Sequence, residues 1–275
     1  MTRDWFIIYN FILPITIKTK EEIEALREGG RKIGQVLKEL AASVKPGLSP
    51  LDLDRLAESL ILKSGGLPAF KGYKSKGSPS AFPFTICFSR NEEIVHGAPN
   101  NNPIKDGDVI KLDIGMKYPA SALPGRPAGL YTDTAVTVAV GKVSKDINKL
   151  IKVTKDATNI GIKRVCPGAR VGDISSAIQE HLEKNKIGIV RDLAGHGVGY
   201  DLHEDPLIPN YGQPGKGVLI EEGMVLAIEV MTNLGNGKIK LGADGYAYVS
   251  LDGTIGAHHE HTVVVTKDGA EIITE

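Results

Sequence analysis

An internal repeat constrains the fold of this chain more strongly than any other feature of its sequence. Three segments of the first half recur in the same order in the second half: IVHGAP (94–99) as DLHEDP (201–206), VIKLDIG (109–115) as VLAIEV (225–230), and DTAVTVAVG (133–141) as EHTVVVTKDG (260–269). The second and third pairs are apolar runs of strand type, each with an acidic residue inside it or at its start. We therefore interpret residues 20–140 and 141–275 as one structural unit used twice.

Each half also begins with two amphipathic helices. Apolar residues recur at helical spacing over residues 20–44, and residues 146–164 supply the corresponding helix of the second half. A V-x-P-G turn follows each of these, and a second helix follows the turn, beginning at Ser49 or Asp52 in the first half. Two such helix–helix–strand–strand units predict an α+β domain with pseudo-two-fold symmetry, in which helices cover one face of a sheet.

Charge and cysteine content limit where such a domain is expected to work. Lys and Arg together number 33, as do Asp and Glu, so the net charge of zero predicts no binding to nucleic acid or membrane. Cys87 and Cys166 cannot form a disulfide framework, so a cytoplasmic location is expected. Residues 1–17 contain an apolar run too short to cross a bilayer, and we interpret them as an N-terminal extension before a single catalytic domain at 18–275.

Four carboxylates lie in the repeated strand segments, where a charged side chain is unfavourable. They form two corresponding pairs, Asp113 with Glu229 and Asp133 with Glu260. For any one of them alone, a solvent-facing side chain or a lysine partner is sufficient explanation. If the two halves pair about a two-fold axis, however, all four meet, and two divalent cations would neutralise their combined charge. Carboxylate oxygens with one imidazole suit Mn²⁺, Fe²⁺, Co²⁺ or Zn²⁺.

The segment AGHGVGYDLHEDP, residues 194–206, contains two histidines with different expected roles. His196 lies between glycines and has no counterpart in the first half, so it is the candidate for direct metal ligation. His203 corresponds to His96, and we expect these two to flank the metals as hydrogen-bonding groups. Three more histidines surround Glu260 as candidate partners of the ligands, with at least two of them expected to be bystanders: His258, His259 and His261.

In these residues the chain resembles the type I methionine aminopeptidases of the pita-bread metallopeptidase family, over residues 18–268. The resemblance implies a pita-bread fold, in which helices cover a mainly antiparallel curved sheet, and it implies two divalent ions as cofactors. The metal ligands that it implies are Asp113, Asp133, His196, Glu229 and Glu260. The catalytic residues that it implies are His96, His203 and Glu229.

The implied reaction removes the N-terminal methionine from nascent polypeptides, with a metal-bridged water or hydroxide attacking the first peptide bond. Glu229 would move a proton from that water to the leaving amine, His203 would hydrogen-bond the carbonyl oxygen, and His96 would contact the next amide nitrogen. The remaining substrate-binding residues, which line the implied methionine pocket, are Phe70, Tyr73, Phe82, Cys87, Leu202 and Tyr246. Residues 116–132 replace a shorter family hairpin and are expected at the rim of the site. Contact with the ribosome and a monomeric state are further expectations.

Three other interpretations stay open. Xaa-Pro aminopeptidases and dipeptidases of the same fold usually carry a large additional N-terminal domain, whereas only residues 1–19 precede the first predicted helix. Type II methionine aminopeptidases usually carry a helical insertion in the second half, and none is evident between His203 and Glu229. A non-catalytic binding module of this fold is expected to have lost metal ligands, and here every position of the implied ligand set is filled.

Overall fold

The chain folds into alternating groups of helices and strands in a computed structural model that describes residues 15–74, 80–119 and 129–275. Most of the predicted N-terminal extension and the middle of the predicted 116–132 hairpin lie outside these residues. The helices are α1 (Lys20–Ser43), α2 (Pro50–Lys63), α3 (Lys145–Ile162) and α4 (Val171–Lys184). The strands are β1 (Leu67–Pro68), β2 (Ile86–Arg90), β3 (Glu93–Val95), β4 (Val109–Tyr118), β5 (Leu130–Ala139), β6 (Gly188–Ile189), β7 (Ala194–Gly197), β8 (Glu204–Pro209), β9 (Val225–Asn233), β10 (Ile239–Leu241), β11 (Tyr248–Ser250), β12 (Gly256–Thr266) and β13 (Gly269–Ile272).

Capping residues fix where the helices begin. The Thr19 hydroxyl accepts a hydrogen bond from the Glu22 amide, and the Glu22 carboxylate accepts one from the Thr19 amide, so α1 begins with a complete capping box. α2 begins at Pro50, so Ser49 is the cap and the later of the two predicted starts is wrong. α1 and α3 begin and end within two residues of their predicted limits. Within the described part of the chain, no helix is both long and apolar enough to cross a lipid bilayer.

The central sheet contains the repeated strands in a symmetric arrangement. Its main path runs β1–β4–β5–β12–β9–β7–β8, and the paired strands are antiparallel. β5 and β12, which correspond to each other in the repeat, lie side by side, with Glu260 opposite Ala135. β4 and β9, which also correspond, lie on their outer sides. The two halves are therefore related by a pseudo-two-fold axis between β5 and β12, as the repeat predicts.

The helices cover one face of this sheet in two groups. α1 and α2 pack on β2 and β4, in an apolar core that includes Leu40, Ile61 and Leu112. α3 and α4 pack on β9 and β12, in a second core that includes Ile178 and Ile228. Burial of these apolar side chains is the main stabilising contribution to a layered domain of this kind. Because the helices occupy this face, polar side chains that alternate with the core residues along the central strands point to the other one.

Candidate metal centre

Strand register brings the predicted acidic ligands of the first half to the face of the sheet opposite the helices. Asp113 on β4 lies opposite Ala135 on β5. Asp133 is two residues from Ala135 along β5, so its side chain points to the same face. Glu260 on β12 also lies opposite Ala135. Three neighbouring strands therefore each place one carboxylate on one face.

The second half completes this row of side chains. Glu229 on β9 lies opposite Glu260 on β12. His196 on β7 lies opposite Ala227, which is two residues from Glu229 along β9. The five predicted ligands thus come from five successive strands, β4, β5, β12, β9 and β7, and all face the same way. The convergence expected from the repeat is present in the structure.

Three of these side chains approach closely enough to share one metal ion. Ligand atoms of Asp133, His196 and Glu260 all lie within 4.8 Å of one another, and the three residues are buried. The His196 Nε2 is 3.6 Å from Asp133 Oδ2 and 3.7 Å from Glu229 Oε1. The His196 Nδ1 is 2.9 Å from the Gly197 carbonyl oxygen. Since a carbonyl only accepts hydrogen bonds, Nδ1 carries the proton and Nε2 keeps its lone pair for a metal.

The electrostatics of this group favour bound cations. Burial, with a contribution from neighbouring carboxylates, raises the pKa of Asp113 to about 7 and that of Asp133 to about 6. Burial, together with the charges of Asp133, Glu229 and Asp113, raises the pKa of Glu260 well above its ordinary value. In the absence of metal these acids therefore hold protons at pH values where exposed carboxylates are ionised. Hard oxygen donors with one imidazole fit a divalent transition metal, so the residues present suit such a centre.

The sequence identifies His258 as one of three candidate partners of the ligands but does not indicate which ligand it contacts. The Nε2 of His258 lies 3.2 Å from Oε2 of Glu229, and His258 is 1% exposed. Burial raises the pKa of Glu229, but the His258 contact and the nearby His196 and His96 outweigh it and lower the pKa overall. The Thr137 hydroxyl holds His258 by hydrogen bonds to its backbone amide and carbonyl. The backbone of His258 is therefore fixed while its ring lies against the Glu229 carboxylate.

Side chains alternate between the two faces of the sheet along β12, and this alternation distinguishes His258 from the two histidines near it. His258 has the same parity as Glu260 and points to the metal face, whereas His259 and His261 point to the helix face. The rings of His259 and His261 pack on each other with centroids 5.1 Å apart. Burial lowers their pKa values to about 3 and about 4, so both are neutral at pH 7. Their placement matches the bystander role expected for two of the three histidines.

The two predicted substrate-facing histidines flank the ligands. His203 follows the β7 strand across a short hairpin, and its ring centroid is 4.5 Å from that of His196. Its Nδ1 is 2.7 Å from the hydroxyl of Tyr73. Burial and the proximity of His196 and His96 hold the pKa of His203 well below its usual range, so its imidazole is neutral. His96 is exposed, has a left-handed backbone with φ of 61°, and packs edge-on against Tyr248.

The side chains predicted for the methionine pocket form one apolar cluster beside the acids. Phe70, Cys87 and Leu202 are buried, and Tyr73 and Phe82 pack against them. The sixth residue, Tyr246, reaches the cluster through an edge-to-face contact with Phe82, with ring centroids 5.4 Å apart. Cys87 on β2 lies opposite Asp113, so the pocket adjoins the carboxylates. Burial raises the Cys87 pKa well above its ordinary value, which leaves a neutral thiol suited to a pocket wall.

Two further members of this cluster were not predicted. Ala69 is buried in it, and Tyr131 packs against it from β5. Tyr131 also donates its backbone amide to the Gly199 carbonyl, at 2.7 Å, on the loop before Leu202. Tyr131 is two residues from Asp133 along β5, so strand parity alone would have placed it on the metal face.

Comparison with known proteins decides the family. Residues 24–267 match Metallopeptidase family M24. The chain belongs to this family. Methionine aminopeptidase 1 of Bacillus subtilis (strain 168) is 44% identical to this M24 metallopeptidase over 260 residues, which are 94% of this chain and 99% of the relative. A methionine aminopeptidase of Clostridium acetobutylicum is 42% identical over 261 residues, 94% of this chain and 98% of that protein.

Solved structures agree with this placement. The crystal structure of methionine aminopeptidase from Thermotoga maritima matches this M24 metallopeptidase with a TM-score of 0.88 and 40% identity, and the match covers 95% of this chain and 100% of that one. A prolidase from Pyrococcus furiosus matches with a TM-score of 0.74 at 22% identity over 66% of its own chain, a likeness in fold alone. The predicted resemblance to methionine aminopeptidases and the α+β pita-bread fold are both confirmed.

Proposed function

We propose that this chain is a type I methionine aminopeptidase that removes the N-terminal methionine from new polypeptides. The observation that carries the proposal is the row of five ligand-type side chains on adjacent strands, next to an apolar pocket. Relatives that match it over most of their length, at 38–44% identity, are named methionine aminopeptidases. The segment from β8 to β9 is fully described and contains no helix, which supports type I over type II. Contact with the ribosome, a monomeric state and a cytoplasmic location stay predictions.

The geometry supports the following assignment of the residues that would hold the metals. Asp133, His196 and Glu260 form one close group, with Glu229 beside His196. Asp113, on the strand beyond Asp133, would complete a second position shared with Asp133 and Glu260. We infer two divalent ions from this set, with Mn²⁺, Fe²⁺, Co²⁺ and Zn²⁺ all compatible with its donors. When bound, such ions supply Lewis acidity and activate water.

Glu229 is the candidate for proton transfer. Its lowered pKa keeps it ionised at neutral pH and able to accept a proton, whereas the pKa values of the neighbouring acids are raised. Its Oε2 contacts His258 while its Oε1 faces His196, so the two oxygens have different environments. We propose that Glu229 accepts a proton from water and then donates it to the departing amine.

His203 is the candidate for stabilising negative charge on the carbonyl oxygen. To donate from Nε2, a neutral imidazole must carry its proton there, and Nδ1 must then accept a hydrogen bond. The Tyr73 hydroxyl, 2.7 Å from Nδ1, is placed to donate it. We therefore propose that Tyr73 fixes the His203 tautomer as well as lining the pocket. His96, exposed beside Tyr248, would contact the next amide of the substrate.

Substrate selectivity tests the proposed function. Protein stripped of metal with a chelator and then reloaded with Mn²⁺ or Co²⁺ should cleave Met-Ala peptides, and should do so more than about tenfold faster than Xaa-Pro peptides. Activity should be absent in the stripped protein. Preference for Xaa-Pro would move the assignment to the prolidase branch of the family. Uptake of metal without cleavage, or no uptake, would favour a non-catalytic binding module.

Replacing His258 should lower the rate through Glu229. A His258→Leu variant is expected to reduce kcat about tenfold, because Glu229 Oε2 loses its polar partner. A His258→Gln variant should retain most of the activity, since its amide nitrogen can occupy a place similar to that of Nε2. Steady-state kinetics with metal content measured for each sample test both.

The matched control for this pair is His259→Gln, one residue away on the opposite face of β12. It should leave kcat within about twofold of the wild type, because His259 points to the helices. Wild-type kcat and metal content in His258→Leu would show that His258 does not support Glu229.

A further inference from the structure

The segment before α1 places a lysine inside the protein, next to the loop that carries His203. The side chain of Lys18 is 1% exposed, and its Nζ lies 2.5 Å from Oε2 of Glu204, whose side chain is 4% exposed. Thr16 also hydrogen-bonds this carboxylate. The Lys18 amide donates to the Gly223 carbonyl at 2.9 Å, so its backbone is anchored to the second half.

Glu204 also organises the loop that precedes it. Its Oε1 accepts hydrogen bonds from the backbone amides of Tyr200, at 2.5 Å, and Asp201, at 3.1 Å. One carboxylate thus folds residues 199–204 back on themselves with one oxygen and binds Lys18 with the other. The Lys18 ammonium also lies 4.9 Å from the centre of the Tyr200 ring.

This loop supplies two groups to the site. Leu202, 3% exposed, belongs to the apolar pocket, and His203 lies between Tyr73 and His196. Both directly precede Glu204 in sequence, so a rotation of the Glu204 backbone would displace them. The strands on either side of this loop, β7 and β8, pair next to it at Gly197 and Glu204, and β7 has a register irregularity there. Backbone hydrogen bonds hold the start of the loop, including one from the Tyr131 amide to the Gly199 carbonyl, and the Glu204 carboxylate holds the amides of Tyr200 and Asp201.

We propose that the buried Lys18–Glu204 pair is a positioning device that holds residues 199–204, and with them His203, in the orientation the reaction requires. This inference rests on the proposed function for its effect on rate. It assigns a role at the site to residues 16–18, which lie at the junction of the predicted N-terminal extension and the catalytic domain. Lys18 and Glu204 act through His203 and do not contact the substrate.

The test is a double variant, Lys18→Met with Glu204→Gln, compared with the wild type. It leaves no unpaired buried charge, and the amide oxygen introduced by Glu204→Gln can still accept hydrogen bonds from the loop amides, so the change isolates the link to Lys18. We expect kcat on a Met-Ala peptide to fall about tenfold to a hundredfold, with a smaller change in KM, because His203 acts on the transition state. If the double variant does not fold, Lys18→Met alone is the second variant, because the Glu204 carboxylate keeps its hydrogen bonds from the amides of Tyr200 and Asp201.

A second readout does not depend on activity. The imidazole nitrogen NMR signals of His203, assigned with a His203→Gln variant, should shift in the double variant as the Tyr73 hydrogen bond weakens. The control is Arg27→Met with Glu271→Gln, which removes another ion pair of the region, at 2.6 Å, that links α1 to β13 away from His203. This control should leave both kcat and the His203 signals unchanged.

The outcomes separate the two proposals. A double variant with lower thermal stability but wild-type kcat and wild-type His203 signals would reduce the Lys18–Glu204 pair to a structural contact and overturn the inference. A wild-type protein that takes up metal but cleaves no Met-Ala peptide would overturn the proposed function. The His203 signals would still decide whether the pair positions the loop.

Discussion

Glu229→Gln is expected to lower kcat by a factor of about 10³ while leaving the fold intact. The amide has the shape of the carboxylate but cannot accept a proton, so the proposed transfer from water to the leaving amine has no carrier. Folding should survive because the change keeps the shape of the side chain and adds no charge beside Asp113, Asp133 and Glu260. Single-turnover kinetics with metal content measured for each sample separate loss of chemistry from loss of metal.

Glu222→Gln is the matched control for this variant. It makes the same chemical change seven positions earlier, at an exposed residue before β9. Its kcat and its thermal unfolding temperature should equal those of the wild type, because exposed surface substitutions have small effects. If Glu229→Gln binds metal normally and keeps more than about a tenth of the wild-type kcat, Glu229 is not the proton carrier, and another group must be sought.

The repeat made the placement of the acids predictable. Corresponding strands of a two-fold unit must lie side by side or symmetrically about the axis, and that alone brings Asp133 next to Glu260 and puts Asp113 and Glu229 outside them. The period of two along a strand then fixes the common face. Helix limits were equally accessible, because capping residues such as Thr19 act within a few positions.

Contacts between segments far apart in the chain could not be predicted from the sequence in the same way. Lys18 and Glu204 are 186 positions apart, and Tyr73 and His203 are 130 apart, and no local pattern links either pair. Each of these contacts depends on how a loop folds over the sheet, which periodicity does not determine. His258 is an intermediate case, because its parity with Glu260 was visible in the sequence but its contact with Glu229 required the pairing of β9 with β12.

Stabilisation by metal is expected to depend strongly on pH. In the metal-free protein Asp113 and Asp133 have pKa values raised to about 7 and about 6, so both hold protons as the pH falls below these values. A divalent ion must displace those protons, and each pH unit below a raised pKa costs about 1.4 kcal/mol per proton displaced. The gain in unfolding free energy on adding Mn²⁺ should therefore be about 3 kcal/mol smaller at about pH 5.5 than at about pH 7.5.

The difference between metal-loaded and metal-free protein is the quantity to measure, because two buried histidines also make the stability of each form depend on pH. His259 and His261, with pKa values lowered to about 3 and about 4, bind protons more readily when unfolded, so their contribution to stability is lost as pH falls from about 6.5. Both point to the helix face, so their contribution cancels when the two forms are subtracted at each pH. Denaturant unfolding with chelator or with excess Mn²⁺ gives the subtraction directly. In Asp113→Asn the pH dependence of the difference should weaken, since one titrating ligand is gone. A gain from Mn²⁺ that is the same across this pH range in the wild type would mean that the ion does not bind at these carboxylates.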